Sequence, residues 1–295
     1  MSAQDVQQIL VSGISNGAIY GLIALGYAVG FSATRVINFA LGDLLMAAVM
    51  LSVVIGAAGV PLSIAIVIGL ACAAGIGGAT YLGAVKPAIR RNPNGFSWLV
   101  TTLGVSIVLE AVAALLWQSQ SRPYPPLLNE TTFKIHGTTI PYQDLLEVGV
   151  IIVVVVALHL VRTRSLFGKA AVASAADPEM ASAFGISQNV VAVTSFAIAG
   201  LLAGVAGILV APLAFANPFM GVGFGLKGFV AMMVGGIGSV PGALVGAIIL
   251  GLSEAFAINR FGTGAGEWFP FVLLIVVLIV RPRGILSGNQ PAFVT

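Results

Sequence analysis

Few residues in this chain could do chemistry, and most of them stand where charge is costly. Glu110 and Glu254 fall inside long apolar runs, and Asp43 and Lys227 border others. A carboxylate in such a run is either a proton carrier or a paired structural group, and pairing is the simpler reading. Asp43 follows Gly42 at a helix start, where the positive end of the helix favours it. Glu254 stands near a helix end, and Lys227 is expected to snorkel at the external mouth of a half-helix. Enzymatic patterns are missing. His136 and His159 form no H-E-x-x-H, and no G-x-S-x-G occurs. A phosphate loop needs G-x-x-x-x-G-K-[ST], but Ala170 follows Gly168-Lys169 and Thr163 replaces the first glycine. Lys227 follows Leu226, so it fits no better. Cys72 is alone, which excludes an internal disulfide and argues against a thiolate metal site.

The densest polar stretch is 162–188, RTRSLFGKAAVASAADPEMASAFGISQ. Within it Asp177 suits an N-cap, Pro178 the first helical position, and Glu179 the positive helix end. Met180, Ala183 and Phe184 share one apolar stripe, and Gly185 can take the left-handed conformation that stops the helix. The spacing predicts a two-turn amphipathic helix reaching into the cytoplasm. A helix lying on the bilayer would carry a longer, cation-rich polar face, so a docking helix for a soluble partner is the better reading.

The elements that must position these residues are membrane spans. Apolar residues make up 58% of the 295, charged residues only 8%, and mean hydropathy is +1.06. Soluble domains carry about 25% charged residues. The fold class is therefore all-α, a polytopic helical membrane bundle of about eight or nine segments. Long apolar runs without alternation exclude a barrel. The net charge of +3 is spread over short loops and indicates no nucleic-acid partner. No cation precedes Arg35, so the first span reads as part of the mature chain.

Apolar runs fall at 9–31, 39–57, 61–83, 96–117, 145–161, 189–212, 226–257 and 268–280. Three cation clusters punctuate them: Lys86/Arg90/Arg91, Arg162/Arg164/Lys169 and Arg281/Arg283. All three face the cytoplasm only if 226–257 is broken, and GGIGSVPG at Gly235–Gly242 supplies the break. The N-terminus then lies outside, the C-terminus in the cytoplasm, and 118–144 forms the main external loop. Glycines at four-residue spacing (Gly13, Gly17 and Gly21; Gly200 and Gly204; Gly242 and Gly246) predict close helix crossings. VINFALGD near 36–43 and FANPFMG near 215–221 both place Asn, an aromatic and Gly before an apolar helix. The first break falls near the inside and the second near the outside, which suits an inverted repeat of discontinuous helices.

VINFALGD, DPEMASAFGI followed by LLAGVAGIL, GLKGFVAMMVGGIGSVPGALVGAIILGLSE and IVRPRGIL occur in that order. Together they resemble the permease subunits of branched-chain amino acid ABC importers, specifically the shorter LivH-like type, over about Leu10 to Leu286. The resemblance implies a single permease domain over 1–295 in a prokaryotic inner membrane, with inward transport by alternating access. It implies a second homologous permease chain, cytoplasmic ATPase subunits that hold the ATP and magnesium, and an external solute-binding protein. It makes 162–188 the coupling loop, with Asp177, Pro178, Glu179, Met180, Phe184 and Gly185 at the ATPase contact. For an amino acid cargo, backbone N–H groups at half-helix N-termini would receive the carboxylate, which places Asn38, Phe39, Gly42, Asn217 and Pro218 on the pathway. Two positions depart from the pattern: Leu41, where a polar residue (commonly His) often stands, and Val172, where Arg is frequent. Urea, a short amide or an aromatic acid stays open as cargo. An ion- or proton-coupled secondary transporter and an intramembrane enzyme are the other readings.

Overall fold

The computed structural model of the protein describes residues 3–92, 95–128, 132–135 and 138–286. His136 lies outside these residues. Helix α1 (Ala3–Thr34) is followed by α2 (Leu41–Ala57) and α3 (Leu62–Thr80), which runs through a π-helical turn at Tyr81–Val85 into α4 (Lys86–Arg91). α5 (Ser97–Trp117) leads to a hairpin, β1 (Thr132–Ile135) with β2 (Thr138–Pro141), paired antiparallel with Phe133 opposite Ile140. Then come α6 (Tyr142–Arg164), α7 (Leu166–Ala176), α8 (Pro178–Ala183), α9 (Gln188–Ala214), α10 (Met220–Gly235), α11 (Val240–Phe261) and α12 (Ala265–Val280). The hairpin and the start of α6 thus lie inside the 118–144 stretch read as loop.

Among the described residues, six helices are long and apolar enough to cross a membrane: α1, α3 with its continuation to Arg91, α5, α6, α9 and α11. α2, α10 and α12 are apolar but only 17, 16 and 16 residues long. At about 1.5 Å per residue these fall short of a hydrocarbon core about 30 Å thick. The run at 226–257 is two helices, as its glycines require. Gly236 and Gly238 take φ of 122° and 74°, backbone that a side chain would strain. Ser239 then caps α11, its hydroxyl accepting from the Gly242 N–H at 3.1 Å.

The contacts Gly13–Leu252 and Gly17–Ala247 set α11 antiparallel to α1, and Gly77–Phe196 and Gly200–Ala73 set α9 antiparallel to α3. With that alternation, Lys86/Arg90/Arg91 in α4, Arg162/Arg164 at the end of α6 with Lys169 in α7, and Arg281/Arg283 after α12 fall on the same side. The three clusters therefore gather at one end of the bundle. Arg35, at the end of α1, donates to the Ala175 carbonyl at 3.2 Å and joins that end. The opposite end holds the start of α1, the segment after α5 and the turn at 262–264.

The packing repeats itself. α1 lies along α11 as α9 lies along α3; α2 crosses α9 as α10 crosses α1; α5 covers α2 as α12 covers α10. α1 and α9 run in opposite senses, so this contact pattern repeats with inverted direction. Small residues make both seams. A Cβ on Gly13 would sit 2.8 Å from the Leu252 Cα, and one on Gly17 would sit 3.1 Å from the Ala247 carbonyl. In the other half Gly77 packs on the Phe196 carbonyl and Gly200 on that of Ala73. Lipid offers no hydrophobic drive between helices, so such backbone approach is what holds them. The core is centred on α1, α2 and α9, with Leu22, Ile23, Leu44, Leu45 and Phe196 fully buried.

Candidate transport pathway and coupling surface

Both breaks fold the same way. Asn38 accepts the Ala40 N–H at its Oδ1 (3.1 Å), and its own carbonyl accepts the Leu41 N–H (3.1 Å). Asn217 does the same with the N–H groups of Phe219 (3.0 Å) and Met220 (3.3 Å). Asparagine closes such turns because its amide mimics a backbone group two residues on. The consequence is local satisfaction. The Leu41, Phe219 and Met220 N–H groups are already bonded in this conformation, so these atoms are not free for a cargo carboxylate. The Asn38 Nδ2 is a different matter: it is buried and makes no hydrogen bond.

The two helices that follow these turns meet start to start. Gly42 lies against the Gly221 carbonyl so closely that a Cβ on Gly42 would collide with it, and a Cβ on Gly225 would sit 2.9 Å from the Gly42 Cα. Phe39 flanks the junction, its ring 5.5 Å from Phe229, and Pro218, three residues before Gly221, is buried. Gly42, Phe39 and Pro218 are thus gathered at one place, where two positive helix ends approach each other. Asp43 supplies the compensating charge in the first turn of α2. It is buried, and the Ser106 hydroxyl of α5 donates to its Oδ2 while Oδ1 lacks a partner. Glu110, one turn further along α5, shares the Ser106 face and is half-buried.

Lys227 does not snorkel. Its ammonium lies 2.6 Å from Glu254 Oε1 of α11 and donates to the Tyr20 hydroxyl of α1 at 3.3 Å. Glu254 sits well inside α11 rather than near its end, and its side chain is 3% exposed. A lone ion of either sign there would be costly, so two charges on neighbouring helices pair instead. Glu147 gives a third polar tie. It is the residue that α6 buries, and it accepts from the Ser15 hydroxyl of α1. Gln143, one turn before it, donates to the Leu209 carbonyl of α9 at 2.7 Å. Pro212 interrupts the hydrogen-bond ladder there and loosens neighbouring carbonyls.

At the cation-rich end, α8 has both expected caps. Asp177 Oδ1 accepts from the N–H groups of Glu179 and Met180, each at 3.0 Å, with Pro178 in the first turn. At the other end the Ile186 N–H bonds the Ala181 carbonyl and the Gly185 N–H that of Ser182, with Gly185 at φ 82°. That double bond is the Schellman closure, which needs a left-handed residue at this place. Ala181 rests on the protein, whereas Met180 and Phe184 are 55% and 80% exposed. His159, also exposed, lies on α6.

Sequence reading missed the segment after α5. Arg122 and Ala216 exchange two backbone hydrogen bonds, 2.8 and 2.9 Å, so the connection to α6 is stitched to the second break. Tyr124 is buried, its hydroxyl 3.2 Å from Ser52 Oγ on α2. Burial pushes the pKa of that hydroxyl above its usual value, and the Ser52 bond opposes the shift. Nothing in the local pattern of 118–128 signals a partner about ninety positions away.

Residues 9–281 match the family described as branched-chain amino acid transport system / permease component. The high-affinity branched-chain amino acid transport system permease protein BraD of Pseudomonas aeruginosa is 34% identical, with 96% of each chain covered. The LivH protein of the same description from Escherichia coli K12 is 33% identical, again over 96% of each chain. A probable branched-chain amino acid transport permease protein LivH of Methanocaldococcus jannaschii is 27% identical over 95% of this chain and 92% of that one. The chain is a multi-pass membrane protein that belongs to the permease-component family of branched-chain amino acid transport systems.

Proposed function

We propose that the chain is a membrane subunit of a prokaryotic ABC importer and forms part of the route by which branched-chain amino acids move inward. Energy comes from ATP and magnesium held on separate ATPase chains, which dock on α8. The observation that carries this reading is the apolar pair Met180 and Phe184, held out to solvent by a doubly capped helix at the cation-rich end. That end faces the cytoplasm by the positive-inside rule, which puts the N-terminus and the α5–α6 connection outside. Cargo reaches the Gly42–Gly221 junction from an external solute-binding protein, and a second homologous permease chain completes the route. ATP-driven movement of α8 shifts the bundle between two states. Asn38, Phe39, Gly42, Asn217 and Pro218 border the place where α2 and α10 separate. The pairing of Glu254 with Lys227 removes one candidate proton carrier and so disfavours a secondary transporter.

Co-purification from native membranes tests the coupling role. The wild-type chain is expected to bring ATPase and second permease chains with it. The Met180→Asp/Phe184→Asp variant should lose the ATPase yet remain folded and keep the second permease. Equal ATPase recovery with both forms would refute the role given to α8.

A further inference from the structure

The connection from α5 to the hairpin is tied to two elements that must move if α2 and α10 part. Arg122 is paired with Ala216, immediately before Asn217 and Pro218. Two residues on, Tyr124 is buried against α2 through Ser52, which in turn donates to the Val49 carbonyl at 2.8 Å. One short strap therefore spans the α9–α10 break and α2, the two partners of the Gly42–Gly221 junction. Pro123, Pro125 and Pro126 surround Tyr124 and make the strap stiff.

The backbone is strained on both sides of this stitch. Gln118, just past α5, has φ 60° and ψ 161°, and Phe215, just past α9, has φ 56° and ψ 142°. Neither is glycine, and such angles persist only where surrounding contacts enforce them. The contacts that do so here are the two Arg122–Ala216 backbone bonds, the Arg122 side chain on the Trp117 carbonyl at 3.3 Å, and buried Tyr124 with half-buried Leu127. The flanking Ser121, Pro123, Pro125 and Pro126 are exposed. Strained hinges and a small anchored area describe a segment that opens locally while the bundle stays folded.

We infer that residues 118–128 are a gate at the hairpin end of the bundle, with the Arg122–Ala216 pair and Tyr124 as its latch. Released, the strap frees the α9–α10 break from α2 and opens the way to the junction. Latched, it closes that end. This rests on the transport reading above and extends it to residues outside the two breaks.

The test is a disulfide lock. Residues that exchange two backbone bonds have Cα atoms about 5.5 Å apart, within the range of about 4.4–6.8 Å that a disulfide spans. Arg122→Cys/Ala216→Cys is made with Cys72→Ala, which removes this chain's single native thiol. The complete complex is reconstituted in proteoliposomes, and ATP-driven uptake of labelled leucine is measured before and after oxidation. The reduced form should transport, oxidation should lower uptake by about tenfold or more, and dithiothreitol should restore it, since a locked gate blocks every cycle. Oxidised complex that carries the bond by mass spectrometry yet transports within about twofold of the reduced form overturns the gate. A pair that fails to cross-link overturns the latch. No ATP-driven uptake by the unmodified wild-type complex would instead refute the transport reading. The Tyr124→Phe variant gives a second readout. It should raise ATP hydrolysis in the absence of cargo, and unchanged basal hydrolysis would count against Tyr124 as part of the latch.

Discussion

Gly42 shows how much one missing methyl group decides. A Cβ there would enter the space of the Gly221 carbonyl, whereas Gly104 in the exposed face of α5 has nothing within 4 Å. Gly42→Ala should destabilise the chain by about 1–3 kcal/mol, the usual range for overpacking. Gly104→Ala should be neutral or slightly stabilising. Thermal unfolding of the two purified variants checks both, and equal midpoints would contradict the junction. The Lys227–Glu254 pair offers a second contrast. Lys227→Met leaves Glu254 buried without its partner and should cost about 3–5 kcal/mol. Lys227→Met/Glu254→Leu should recover most of that loss, because no unpaired charge then stays behind. A double variant as unstable as the single one would argue against pairing as the main role. These charges were visible in the sequence, but their partnership was not. Two opposite charges in separate spans are a signal for a pair, yet Lys227 read alone looks like a snorkelling residue.

Single helices divide sharply into those that could be read and those that could not. α8 was legible from Asp177 to Gly185 because its signals are local: a cap, a proline and a glycine at fixed offsets. Asp177→Ala removes an oxygen that serves two N–H groups, and should weaken α8 by about 1 kcal/mol. The expected readout is lower ATPase recovery with unchanged thermal stability of the membrane part. Equal recovery would mean that the cap is not needed to present Met180 and Phe184. The split of 226–257 into α10 and α11 was legible for the same reason. The strap at 118–128 was not, since its structure depends on Ala216 and Ser52, both remote in sequence. Glu147 was hidden too: it stands among residues of α6 that face outward, and its burial comes from the packing of α1, with Ser15, against α6.

The packing of the two halves follows one pattern in opposite senses, and the short likeness between VINFALGD and FANPFMG is the sequence feature that goes with it. What carries it is the asparagine turn, repeated at Asn38 and Asn217 with the same two hydrogen bonds. The expectation that these helix starts offer open N–H groups to a carboxylate did not anticipate that the turns satisfy their own donors. Nor did it anticipate that the starts of α2 and α10 touch. On the proposed function, the route here forms by their separation. Cysteine pairs across α1 and α11 (Gly17→Cys with Ala247→Cys) would then lock a seam that the glycine packing keeps together throughout. Provided that each variant folds, locking that seam should spare transport where locking the strap does not.

The most direct test of the whole reading is leucine uptake into proteoliposomes containing the complex purified from native membranes with its binding protein outside. Uptake should require ATP and magnesium on the ATPase side, and should vanish with Met180→Asp/Phe184→Asp. Uptake by this chain alone, driven by an ion gradient without ATP and abolished by Glu110→Gln, would contradict it.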